Sequence, residues 1–134
     1  MTFSKIKSLT KKQTDHLNKN VKGKWKFDPK TGLVNIKGSY SIYNRGNKTL
    51  CGISFGYVTG NFNCSFNKLT SLEGAPQSVY GNFYCYSNKL TSLKDAPEKF
   101  ADIDYSENPV AAMIEKELSE KGYFEHEGFL FSNA

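Results

Sequence analysis

The chain has 134 residues, enough for one domain, and carries 18 Lys/Arg against 13 Asp/Glu, a formal net charge of +5. No stretch approaches the roughly 18 consecutive apolar residues that a membrane-spanning helix needs, and residues 1–12 lack the apolar core of a secretory leader, so a cytoplasmic chain is expected. Charge is unevenly divided: residues 1–48 hold 12 basic and 2 acidic side chains, residues 49–134 hold 6 and 11, giving a basic end and an acidic end.

In chain order, residues 8–21 predict a helix. Thr10 and Gln13 have capping-box spacing, and Leu9, Leu17 and Val21 supply a thin apolar stripe. Trp25 and Phe27 then alternate with Lys24 and Lys26, Asp28-Pro29-Lys30-Thr31-Gly32 reads as a turn, and Val34 and Ile36 alternate again. A hairpin is expected, with Trp25, the only tryptophan, as its core anchor. The lysines from Lys5 to Lys30 have two readings, a solvated cap or a docking site for an acidic partner, protein or nucleic acid.

The middle of the chain repeats. Gly60–Pro76 returns 21 residues later as Gly81–Pro97 with 12 of 17 positions identical. Phe62, Cys64, Leu69 and Leu72 match Phe83, Cys85, Leu90 and Leu93, and a degenerate third copy follows at Phe100, Ile103, Tyr105 and Asn108. A short period with fixed apolar positions implies stacked units, none able to bury its hydrophobic side alone. Phe62/Cys64 and Phe83/Cys85 have period 2, so each pair should point to one side of a short strand. Tyr40 and Ile42 fall in the same phase, in an irregular first turn from about Ile36 to Val58 that Asn44-Arg45-Gly46-Asn47 interrupts. Four strands in one small parallel sheet are expected. Asn67, Asn88 and Asn108 stand where the chain leaves each strand, and their amides can pair with backbone groups that the bend strands.

Beyond the repeats, Asn108-Pro109 reads as an N-cap and first helical residue. Val110, Ile114 and Leu118 form a stripe, and Gly122 is a stop. The aromatic closing segment, Tyr123 to Phe131, either folds back to finish the cap or lies exposed, with packing favoured.

The spacing LxxLxLxxN, with aromatic and β-branched substitutes, resembles the leucine-rich repeat. The Leu-Thr-Ser-Leu and Ala-Pro runs look most like the short repeats of bacterial and tailed-phage proteins. The resemblance covers about residues 57–110. It implies an α/β solenoid: a short leucine-rich-repeat array with a small parallel sheet (37–108), an N-terminal helix-hairpin cap (1–36) and a C-terminal helix cap with an aromatic tail (109–134), all in one domain. It also implies a concave contact surface. The function then expected is a protein-protein interaction module, a small adaptor or inhibitor. If encoded by a phage, it would act on a host enzyme or defence complex in the host cytoplasm. The alternative is a nucleic-acid-binding accessory protein working through its basic N-terminal region.

Side chains between the buried ones should face outward on the sheet. The partner-binding candidates are Tyr43, Asn63, Phe66, Tyr84, Tyr86, Asp102 and Asp104, because exposed tyrosines beside polar and acidic neighbours suit an interface. Catalysis finds little support. His16 and His126 fall in opposite caps, Cys64 and Cys85 are expected buried, reduced and inert, and Cys51 has no assigned role. Equivalent cysteines on neighbouring strands would lie roughly 4.8 Å apart, wider than the ~3.8 Å between disulfide Cβ atoms. Glu125-His126-Glu127 is a weak metal motif, and no HExxH, paired CxxC or phosphate loop occurs. A non-enzyme without cofactor, metal or membrane partner is expected, binding another protein.

Overall fold

The computed structural model describes residues 8–120 and 129–131. Its elements are α1 (Lys11–Asn20), β1 (Val21–Asp28), β2 (Leu33–Ser41), β3 (Ser54–Val58), β4 (Phe62–Asn63), β5 (Ser78–Val79), β6 (Phe83–Tyr84), β7 (Asp102–Asp104), α2 (Pro109–Glu120) and β8 (Phe129–Phe131).

Helix α1 starts where its capping box places it. Thr10 Oγ1 accepts from the Gln13 N–H (3.1 Å), and Gln13 Oε1 accepts from the Thr10 N–H (3.0 Å). Leu17 is its one buried residue. The expected turn joins β1 to β2: Asp28 Oδ1 accepts from the Lys30 N–H, and the Gly32 N–H closes onto the Asp28 carbonyl. Trp25 is only half-buried against the core, with Nε1 donating to Asn18 Oδ1 (3.0 Å).

The strands form one eight-stranded sheet in the order β5-β3-β2-β4-β6-β7-β8, with β1 pairing β2 off that path. This order overturns the leucine-rich-repeat resemblance and the solenoid class expected from it. A leucine-rich-repeat array adds one strand per repeat in chain order. Here the nine-residue β2 is long enough to take two partners, β3 along its first half and β4 along its second. Antiparallel pairings, β1 on β2 and β8 on β7, adjoin the parallel ones, so the expected four-stranded parallel sheet is also corrected. The described residues form a small α/β domain with a mixed-order, mainly parallel sheet and two helices. A repeated sequence fixes which residues come into register, and it leaves open how a longer strand is shared between neighbours.

The 21-residue period does set the register. Tyr40, Phe62, Phe83 and Ile103 are direct strand partners in one row and are all buried. Within it Tyr40–Phe62 and Phe62–Phe83 stack at 4.6 and 5.5 Å between ring centroids. Ile42, Cys64, Cys85 and Tyr105 are buried beside them, and both cysteines are free thiols, as expected. Each fully buried aromatic or aliphatic side chain stabilises the fold by about 1.5–3 kcal/mol.

Asparagines close the bends. Asn67 Nδ2 donates to the Ile42, Cys64 and Ser65 carbonyls, and Asn88 and Asn108 repeat the pattern. Their Oδ1 atoms accept from the Asn47, Leu69 and Leu90 N–H groups respectively. Asn108 works as a bend residue, with its side-chain oxygen on Leu90, and it stands directly before Pro109, the first residue of α2, as expected. Val110 and Ala111 are buried and Ile114 half-buried, so the start of α2 packs on the core. Phe129–Phe131 pair with β7 at the sheet edge as β8, in register Asp102↔Phe131 and Asp104↔Phe129. Gly122 and residues 123–128 lie outside the described residues.

Candidate functional site

The inward row leaves Ser41, Asn63, Tyr84 and Asp104 facing the other side of the sheet, in register. Next to them lie Tyr43, Ser65, Tyr86 and Ser106. Sequence reasoning placed all of these outward, and the structure separates them by what their polar atoms do.

Asn63 and Asp104 brace the backbone. Asn63 Oδ1 accepts from the Ser65 N–H (2.9 Å), and Asp104 Oδ1 accepts from the Ser106 N–H (3.0 Å) and Oγ–H (2.6 Å). Asp104 is moreover nearly buried, whereas Asp102 stays partly accessible. Tyr84 is half-buried, its hydroxyl accepting from Asn82 Nδ2 (2.8 Å).

Tyr43, Phe66 and Tyr86 come together. Phe66 sits between the two tyrosines, 5.3 Å from each ring centroid, in edge-on contacts at 66° and 82°. Ser65, in the same row, is fully buried, and its Oγ accepts from the Tyr86 N–H. Partial burial first, then the neighbouring Tyr43 hydroxyl and the Asp104 charge, push the Tyr86 hydroxyl up, so it remains a neutral phenol. Tyr43 and Phe66 each keep 43 % of their surface exposed.

The backbone at Phe66 is unusual. Its φ is +56°, the left-handed region, where a bulky side chain costs about 1–2 kcal/mol. The corresponding bend residues in the flanking rows are Asn44 (φ 57), Ser87 (φ 53) and Glu107 (φ 56). All four bends demand this conformation, and one of them carries a large apolar ring. Tyrosines at 43 and 86 were readable from period 2. The left-handed backbone under Phe66 had no sequence signal beyond the Asn that follows it.

Sequence reasoning also missed a second constellation. His16, expected in the N-terminal cap with no catalytic role, lies with Nδ1 3.6 Å from Cys51 Sγ and Nε2 2.7 Å from the Tyr40 hydroxyl. No spacing could have shown this, since 35 positions and two strands separate the partners. Cys64 and Cys85 behave as expected: burial pushes both thiols up, Cys64 to about 12.

Among the described residues no group of three or more His, Cys, Asp or Glu could hold a metal ion, and no helix is long and apolar enough to cross a membrane. Glu125-His126-Glu127 lies outside them. The expected adaptor or inhibitor function, with its phage origin, was drawn from the repeat family and is overturned with the fold. The nucleic-acid alternative finds no support either. Lys5 and Lys7 lie outside the described residues, Lys11 pairs with Asp15 (2.8 Å), and Lys22, Lys24 and Lys26 are simply exposed on β1. No family model matches this chain, and no curated protein or solved structure matches it either, so the site has only its own residues to speak for it.

Proposed function

We propose that the Tyr43–Phe66–Tyr86 face is a contact surface for a short extended peptide segment. The reading rests on side chains and not on fold class. Phe66 carries it: a large ring in a left-handed bend, with nearly half its surface in water, is a poor choice for stability. Strain of this kind concentrates at sites with a task.

The surroundings suit a peptide. Two tyrosines offer apolar area with hydroxyl tips and little side-chain entropy to lose. Tyr84 and Asp102 extend the face toward β7 with a further hydroxyl and a carboxylate, while Lys68 and Lys89 are exposed just past the bends. A face of exposed ring edges and hydroxyl tips, two of its rings 43 % exposed, suits an extended segment laid across it.

The test is selection from a displayed random-peptide library on the wild-type domain and on Phe66→Asn, with folding of both checked by circular dichroism. Peptides enriched on the wild type and lost on Phe66→Asn support the reading. No enrichment, or equal enrichment on both, overturns it.

A further inference from the structure

The Cys51–His16 pair has the parts of an activated thiol. Cys51 is half-exposed and sits in the turn between β2 and β3, with φ +64°. Its backbone is held on both sides: its N–H donates to Thr49 Oγ1 (3.2 Å), and its carbonyl accepts from Gln13 Nε2 of α1 (3.1 Å). That clamp places Sγ 3.6 Å from His16 Nδ1 and 3.6 Å from Asn47 Nδ2.

The hydrogen bonds assign the tautomer. Asn20 Nδ2 donates to the His16 carbonyl (2.8 Å) and lies 3.3 Å from Nδ1, so Nδ1 is an acceptor. The ring proton is then on Nε2 and is donated to the Tyr40 hydroxyl, whose ring is locked in the core. Nδ1 therefore has one lone pair shared between the Asn20 amide (3.3 Å) and the Cys51 thiol (3.6 Å). A nucleophile, a base within reach and a third group orienting the base are the elements of thiol activation. Asn47 Nδ2 and the Lys12 charge would steady the negative charge that develops on sulfur.

The electrostatics agree on the resting state. Burial, then Lys19, pushes His16 below its usual 6.5, and burial pushes Cys51 up against the opposing effects of Lys12 and Asn47. At neutral pH the pair is a neutral thiol beside a neutral imidazole, so reaction requires the base. A groove beside the turn is walled by Thr49, Leu50, Gly52 and Ile53.

We infer that Cys51 is a site of reversible S-thiolation by low-molecular-weight disulfides, with His16 as the base that activates it. The Cys51 S–H bond breaks and its proton passes to His16 Nδ1. Sγ attacks one sulfur of the disulfide, a new S–S bond forms, and the old one breaks. The departing thiolate takes the proton back from His16. Cys51 is oxidised to a mixed disulfide, half of the reagent is reduced to a thiol, and a second thiol reverses the exchange.

The experiment exposes the full folded chain to oxidised glutathione at pH 7 and follows adducts by peptide mass spectrometry. One adduct is expected, on Cys51, with Cys64 and Cys85 untouched, and dithiothreitol should remove it. His16→Gln should slow it by roughly 100-fold, the low end of general-base effects. Because His16→Gln could disturb α1, two further measurements keep the inference exposed. Tyr40→Phe should slow the reaction several-fold by freeing the ring, and wild-type Cys51 should react faster folded than in urea. Equal rates for wild type and both variants, a Cys51 that reacts no faster folded than unfolded, or adducts on the buried cysteines in its place would overturn it.

Discussion

Replacing Asn88 separates hydrogen-bond supply from packing as the reason for the asparagine row. Asn88 is 8 % exposed. Its Nδ2 donates to the Cys64 and Cys85 carbonyls at 2.9 and 3.1 Å and more weakly to Tyr86 at 3.4 Å, while Oδ1 accepts from the Leu69 N–H at 3.0 Å. In Asn88→Ala the carbonyls keep other donors, since Asn67 Nδ2 still reaches Cys64 and Asn108 Nδ2 still reaches Cys85. The Leu69 N–H loses its acceptor, at about 1–3 kcal/mol for a buried orphan. With the small void added, Asn88→Ala should cost about 2–4 kcal/mol. Asn88→Asp has nearly the same shape and can still accept from Leu69, yet it sets a carboxylate among carbonyl oxygens in a nearly buried place. Packing alone predicts a near-neutral change. Hydrogen-bond supply predicts that Asp is worse than Ala at pH 7, upwards of about 3 kcal/mol. The introduced carboxyl would then have a folded pKa raised above its unfolded ~3.9, so the variant should recover stability as pH falls from 7 toward 4. Urea unfolding followed by Trp25 fluorescence gives midpoint and slope together. An Asp variant as stable as wild type, or more stable than Ala, refutes the reasoning.

Three further outcomes follow from the same geometry. Gly38 (φ +144°) faces Gly23 (φ +125°) across the hairpin, and a Cβ on it would land on the Lys22 carbonyl. Gly38→Ala should therefore lower stability by about 2 kcal/mol or more, read as a lower urea midpoint. Phe66→Asn trades two edge-on ring contacts, about 0.5–1.5 kcal/mol each, for relief of about 1–2 kcal/mol of left-handed strain. Its midpoint should stay close to wild type, and a collapse of the fold would show that the ring serves stability first. His16 is held below 6.5 in the folded state, so its contribution is complete above pH 6.5 and is lost as pH falls through the lowered value. His16→Gln should flatten the pH dependence of the urea midpoint on the acid side of 6.5, and an unchanged slope would refute this.

Much of the local structure was legible because it depends on contacts that recur at fixed spacing. Period 2 found the buried row of Phe62, Cys64, Phe83 and Cys85, and the position of Asn67 and Asn88 after each strand found their role. The capping box of Thr10 and Gln13 set the start of α1. The fold class was misread for a physical reason: the repeats specify which residues pair, while Leu33–Ser41 has length enough to pair with two strands, and no residue type announces that. The candidate site was half legible. Outward tyrosines follow from alternation, but the contact of Phe66 with both of them depends on the left-handed bend at Phe66. The approach of His16 to Cys51 is purely tertiary. It needs α1 to lie across the turn, which the Gln13 bond to the Cys51 carbonyl secures.

Phe66 and Cys51 have something in common. Six non-glycine residues adopt positive φ among the described residues, and Asn44 and Asp95 are of the types that tolerate it best. Ser87 is small, and Glu107 is an exposed polar residue. Phe66 is bulky and apolar, and Cys51 lacks the side-chain amide or carboxylate that lets Asn and Asp ease the strain. Each is held there by its neighbours: Phe66 by its N–H on the Tyr86 carbonyl and by Asn67 immediately after it, Cys51 by Thr49 and Gln13. A scaffold whose bends are closed by inward asparagine amides can carry a strained residue at the surface without losing the bend. What the strain secures in each case is a direction. One bend holds a ring edge-on between two tyrosines, and the other holds a sulfur within reach of an imidazole. Either side chain would be free to turn away in a relaxed backbone, so the chemistry proposed for both depends on the hydrogen bonds beneath them more than on the residues themselves.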